Sequence, residues 1–134
     1  YMELWCALFL ADGYWLAGEY EKAREIAEEL LAFATRCNAR FYLGYAHLVL
    51  GEIALQTEPD QATIQFKKSI TAFQNIKAEN FVALACSGMG RYHKQQGGTE
   101  KAREYLTKAL AIFERLGTLL EPDKVRRELE DLPE

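Results

Sequence analysis

The pentapeptide Glu21-Lys22-Ala23-Arg24-Glu25 returns unchanged as Glu100-Lys101-Ala102-Arg103-Glu104. A looser copy, Asp60-Gln61-Ala62-Thr63-Ile64, lies between them, so that Ala23, Ala62 and Ala102 are 39 and 40 positions apart. Self-similarity at a near-constant period of this size marks a repeat architecture and excludes most single-core folds. One such unit cannot bury its own apolar face, whereas stacked units share a continuous core.

The content of each unit is helical. In Ala23, Ile26, Ala27, Leu30, Leu31 and Ala34, and again in Ala102, Tyr105, Leu106, Ala109, Leu110 and Phe113, apolar residues recur at three- and four-residue spacing. No run rich in Val, Ile and Thr alternates with period two, so no sheet is expected. The spacing predicts seven helices, near 2–16, 19–37, 39–57, 60–77, 79–96, 99–116 and 122–131. Gly18, the pair Gly97-Gly98 and Gly117 stand where helices stop, and Pro59 and Pro122 where a first turn accepts proline. Thr99 is the expected N-cap ahead of Glu100, whose charge suits a helix start.

Small residues set how closely the helices approach. Ala11, Gly51 and Gly90 on the first helix of each pair face Ala23, Ala62 and Ala102 on the second, with Tyr20, Phe66 and Leu106 filling the space beside them. This spacing of small and large residues resembles the tetratricopeptide repeat. The third pair carries the pattern in Gly90, Gly97, Ala102, Leu106 and Ala109. The first shows Ala11, Tyr14, Gly18, Tyr20, Ala23, Ala27 and Leu30. The second shows Gly51, Ala54, Ala62, Phe66 and Ser69, with one residue fewer between its helices. The period exceeds the family's usual value of about 34. The proline expected after each second helix is absent, and His93 and Cys86 replace the usual Tyr and Trp. These departures resemble the long-period variety found beside ATPase domains of bacterial LuxR-type regulators and in multidomain nucleotide cyclases.

The resemblance implies an all-α fold, a right-handed superhelical stack of three antiparallel helix pairs (an α-solenoid) with a C-terminal capping helix. The whole chain, 1–134, is then one domain, with repeats near 4–37, 40–77 and 80–117 and the cap at 122–131, where Val125, Leu129 and Leu132 share one helical face. The chain begins Tyr1-Met2 and no second helix precedes the first pair. It is therefore expected to be the C-terminal fragment of a larger protein, with a homodimer through its uncapped N-terminal helices as one way to cover them.

No catalytic, cofactor-binding or metal-binding residues are expected. Phosphate-loop spacing is absent, and in Gly88-Met89-Gly90 the third position of a dinucleotide fingerprint falls on His93 with no strand ahead of it. The glycines there fit close helix packing instead. His47 and His93 lack partners at metal-ligand spacing and read as packing histidines. Three cysteines, Cys6, Cys37 and Cys86, are too few and too scattered for a disulfide framework or a zinc site. They read as reduced, mostly buried residues of a cytoplasmic protein. A formal charge of −4 gives no general attraction to nucleic acid or anionic lipid, and the basic residues Arg91, His93, Lys94 and Lys124, Arg126, Arg127 are mixed with acids and amides. No apolar run approaches the roughly 18–20 residues of a membrane helix.

What remains is recognition of another protein. In the resembled family the first helix of each pair lines a concave face. That register places Trp5, Leu8, Asp12 and Trp15 there from the first pair. Tyr45, Leu48, Glu52, Leu55 and Gln56 follow from the second, and Leu84, Ser87, Arg91, Lys94 and Gln95 from the third. Asp12, Glu52 and Arg91 occupy one equivalent position, either as a ligand-contacting ladder or as a Glu52–Arg91 pair that holds neighbouring repeats in register. The function expected is a scaffold that binds a peptide or protein partner on this face. The alternative is a regulatory or structural segment acting on the other domains of a multidomain signalling protein.

Overall fold

Short connections between long helices dictate the architecture. The computed structural model describes residues 10, 11, 13–117 and 121–133, the side chains of 121–123 excepted. Six helices follow one another: α1 Tyr20–Cys37, α2 Arg40–Thr57, α3 Pro59–Asn75, α4 Glu79–Gln95, α5 Thr99–Leu116 and α6 Glu121–Glu130. Residues 10, 11 and 13–16, ahead of α1, are helical too. No strand occurs among the described residues. Connections of one to three residues leave each of the first five helices packed on its chain neighbours, and α6 rests on α5. In addition α2 touches α4 directly, whereas α1, α3 and α5 lie behind them. The chain is therefore a helical solenoid in which α2 and α4 are the paired first helices and line one face.

The turns reuse one device. Gly18 and Gly97 end their helices with φ of +79° and +80°, left-handed values that glycine adopts without strain. The next amide in each case reaches back five residues, Glu19 N–H to the Tyr14 carbonyl and Gly98 N–H to the His93 carbonyl, both at 2.8 Å. Asn38 and Lys77 close α1 and α3 in the same way at φ of +54° and +59°. Only Glu58 separates α2 from α3, and Pro59 opens α3 in the first turn, where its missing N–H is not needed. The N-cap of α5 is Gly98 rather than Thr99, because the Gly98 carbonyl accepts the first helical bond, from Ala102 N–H at 2.9 Å. No side chain caps that end.

The core runs without a break from α2 to α6, through Phe66, Phe73, Met89, Leu106, Phe113 and Val125. Gly51 and Gly88 grip the ring of Phe66 from two sides. A Cβ at Gly51 would lie 2.7 Å from the ring's Cδ1 and Cε1, and one at Gly88 2.4 Å from its Cε1 and Cζ. Gly44 meets Phe73 and Gly90 meets Leu106 in the same manner. Ser69 Oγ, fully buried, donates to the Gly44 carbonyl at 2.9 Å and fixes α3 against α2. Cys86 is buried, as expected, but Cys37 ends α1 exposed to solvent. Cys6 lies outside the described residues.

Candidate functional site

Between α2 and α4 the face opens into a cavity of about 400 Å³. Trp15 from the N-terminal helical residues borders it on one side, and α6 on the other. Tyr45, Leu48 and Val49 of α2, Leu84 of α4 and Val125 of α6 supply apolar walls. The α2 side chains point there because they sit three and four residues apart, one turn of helix each. Tyr45 is braced by ring contacts with Phe41 and Phe81, each at a centroid separation of 6.2 Å.

The polar part of the cavity centres on Arg91. Its guanidinium pairs with Glu52 of α2 and stands 3.7 Å from Glu128 Oε1 of α6, so one α4 side chain ties three helices together. Glu52 is 14 % exposed, and burial raises its pKa above the ordinary carboxyl value against the pull of Arg91 and Lys124. A carboxyl whose folded-state pKa is raised stabilises the fold fully below its unfolded value, and that contribution is lost as pH rises through the folded value. The stability of the wild type relative to Glu52→Gln, read from urea midpoints, is therefore expected to fall as pH rises from about 4 to 7. A difference that is flat or grows with pH would show that the ion pair outweighs the burial.

Of the residues expected on this face, Trp15, Tyr45, Leu48, Glu52, Gln56, Leu84, Ser87 and Arg91 line the cavity. Leu55 points away from it into the core, 5 % exposed. Lys94 sits one turn beyond, 3.9 Å from Asp131, and Gln95 is exposed at the end of α4. Trp5, Leu8 and Asp12 lie outside the described residues. Lys124, Val125 and Glu128 border the cavity without having been expected there. The helical spacing of Val125, Leu129 and Leu132 marks an apolar face on α6, but nothing in the sequence says that its flank turns toward α2 and α4.

The other reactive side chains are accounted for by packing. His47 Nδ1 is 2.8 Å from Gln65 Oε1, and burial lowers its pKa. His93 stacks on Tyr105 at 5.5 Å, with burial and then Lys101 and Lys67 lowering its pKa. Burial also raises the thiol of Cys86. No group of three or more His, Cys, Asp or Glu side chains is placed to hold a metal ion among the described residues. None of their helices is long and apolar enough to cross a membrane.

A family model described as a tetratricopeptide repeat matches residues 82–116, which span α4 and α5. No curated protein and no solved structure matches the chain. Tetratricopeptide repeats are non-catalytic scaffolds that generally mediate protein–protein interaction. Residues 82–116 are thus similar to a tetratricopeptide repeat, and the same helix pairing recurs in α2 and α3.

Proposed function

We propose that this chain is a scaffold that receives a segment of a partner protein on the face lined by α2 and α4. One side chain of the partner lodges in the cavity between α2, α4 and α6. The observation that carries the reading is the cavity itself: apolar walls with a few convergent polar groups, at the point where three helices meet. Helices of 17 or 18 residues and a spacing of 39 and 40 support the long-period variety of the family.

A phage-displayed peptide library selected on the protein tests this. Selected peptides are expected to lose about 2 kcal/mol, roughly thirtyfold in Kd, on Tyr45→Ala. They should also fail on Gln56→Trp, which fills the mouth from an exposed position. Circular dichroism shows whether each variant stays folded. Peptides that bind wild type and both folded variants equally would place recognition elsewhere on the molecule.

A further inference from the structure

Positive charge is segregated along this chain. From Gln61 to Thr99 it carries one acid, Glu79, against Lys67, Lys68, Lys77, Arg91 and Lys94, although the whole chain has a formal charge of −4. Arg91 pairs with Glu52, and Lys94 lies 3.9 Å from Asp131. Lys67 and Lys77 are exposed and form no ion pair among the described residues. The same is true of Lys101 and Lys108 on α5.

These four lysines flank one groove at the back of the stack. α2 and α4 touch each other, but no comparable packing joins α3 to α5, so a furrow runs between α3 and α5 with α4 as its floor. Toward one end of it, His93 of α4 lies within reach of Lys101 and Lys67, whose charges add to burial in lowering its pKa. Toward the other end, Lys77 and Lys108 border a cavity of about 480 Å³ with Gln74, Val82 and Ile112. The acid at that cavity, Glu79, is already taken by Arg115 at 3.0 Å. Lys101, Tyr105, Lys108 and Ile112 share one face of α5 at steps of four, three and four. Its two lysines stand two turns apart, about 10 Å along the helix. Like charges without counter-charges along one furrow focus a positive potential there.

The surroundings narrow what such a furrow accepts. A long polyanion with a charge on every unit would run past its ends. On the same helix it would meet Glu100 and Glu104, and on the outer side of α1 the exposed Glu25, Glu28 and Glu29. A short segment with a few carboxylates avoids them. Val82, Ile112 and Tyr105 offer apolar contact between the lysines, which a polypeptide with mixed side chains uses and a phosphate backbone does not.

We infer that the groove between α3 and α5 is a second docking surface, for a short acidic segment of a protein partner. It shares no residue with the cavity on the α2–α4 face, so neither reading depends on the other. Decaglutamate is titrated into the whole chain and followed by amide chemical shifts, with decalysine and the single-stranded oligonucleotide dT10 as competitors in kind. Decaglutamate is expected to shift amides around Lys67, Lys77, Lys101 and Lys108, and decalysine to leave them in place. The double variant Lys101→Glu/Lys108→Glu is expected to weaken decaglutamate at least about tenfold in Kd. Arg36→Glu/Arg127→Glu makes the same change in net charge away from the groove and is expected to weaken it less than about threefold. Circular dichroism shows that each variant is folded, and the shift map of the wild type decides the matter without them. Shifts that avoid the groove, equal losses in the two double variants, or binding of dT10 there as tight as decaglutamate would each overturn the inference. The last result would assign the furrow to polyanions at large.

Discussion

Phe66→Ala is expected to cost about 3–5 kcal/mol of folding stability, the largest loss at any single position described. Phe66 is fully buried, and its ring is held between Gly51 of α2 and Gly88 of α4, so one side chain of α3 joins both neighbouring helices. Truncation removes the ring's transfer free energy and leaves a cavity walled by helix backbone. Backbone cannot collapse inward as freely as side chains do, which puts the cost in the upper part of the usual range. Urea unfolding followed by circular dichroism measures it, with the midpoint moving and the slope held. A loss below about 1.5 kcal/mol would mean that α2 and α4 close the gap.

Gly88→Val approaches the same contact from the other side and is expected to cost about 2 kcal/mol or more. Replacing glycine within a helix gains a few tenths of a kcal/mol to about 1 kcal/mol of propensity. That gain opposes a Cβ placed 2.4 Å from two ring carbons. Gly51 of α2 stands against the same ring atoms, so the ring cannot give way toward that helix. Shrinking the ring should restore what the added side chain takes away. Phe66→Leu in the Gly88→Val background is expected to be less destabilising than the sum of the two single changes, by about 1 kcal/mol. Strict additivity in this cycle would mean that the two residues do not press on each other.

These contacts show how much of the fold could be read from the residues. Apolar spacing and the recurrence of Ala23, Ala62 and Ala102 gave the helices to within two residues of their ends from α1 through α6. The glycine stops at 18 and 97 were legible because only glycine takes the left-handed turn without strain. Asn38 and Lys77 adopt the same turn with no comparable signal, since asparagine visits the left-handed conformation only occasionally and lysine rarely. Thr99 was misread because an N-cap depends on which carbonyl takes the first helical bond, and residue type only biases that choice.

The candidate site was legible where it follows helix register and illegible where it depends on docking. Glu52 and Arg91, 39 residues apart, meet because equivalent positions on stacked helices must be neighbours. Leu55 shares the α2 spacing but turns inward, since one residue step along a helix swings a side chain by about 100° and the edge of a face is decided by small rotations of the whole helix. Lys124, Val125 and Glu128 reached the cavity through the placement of α6 on α5, a tertiary choice with no periodic partner in the sequence.

Packing of each helix chiefly on its chain neighbours also governs how the molecule comes together in time. With connections of one to three residues from α1 to α5, every pairing there closes a short loop, and the α2–α4 contact closes one only a helix longer. Loop closures of this kind are cheap in entropy, and helical chains built from them fold in microseconds to milliseconds. Such a stack has no single nucleus that must form first. It can start at any pair, with the Phe66 clamp between α2, α3 and α4 the richest starting point, and grow outward in both directions. Because α6 packs chiefly on α5 and is also a wall of the cavity, the cavity depends on that one docking and opens when it is lost.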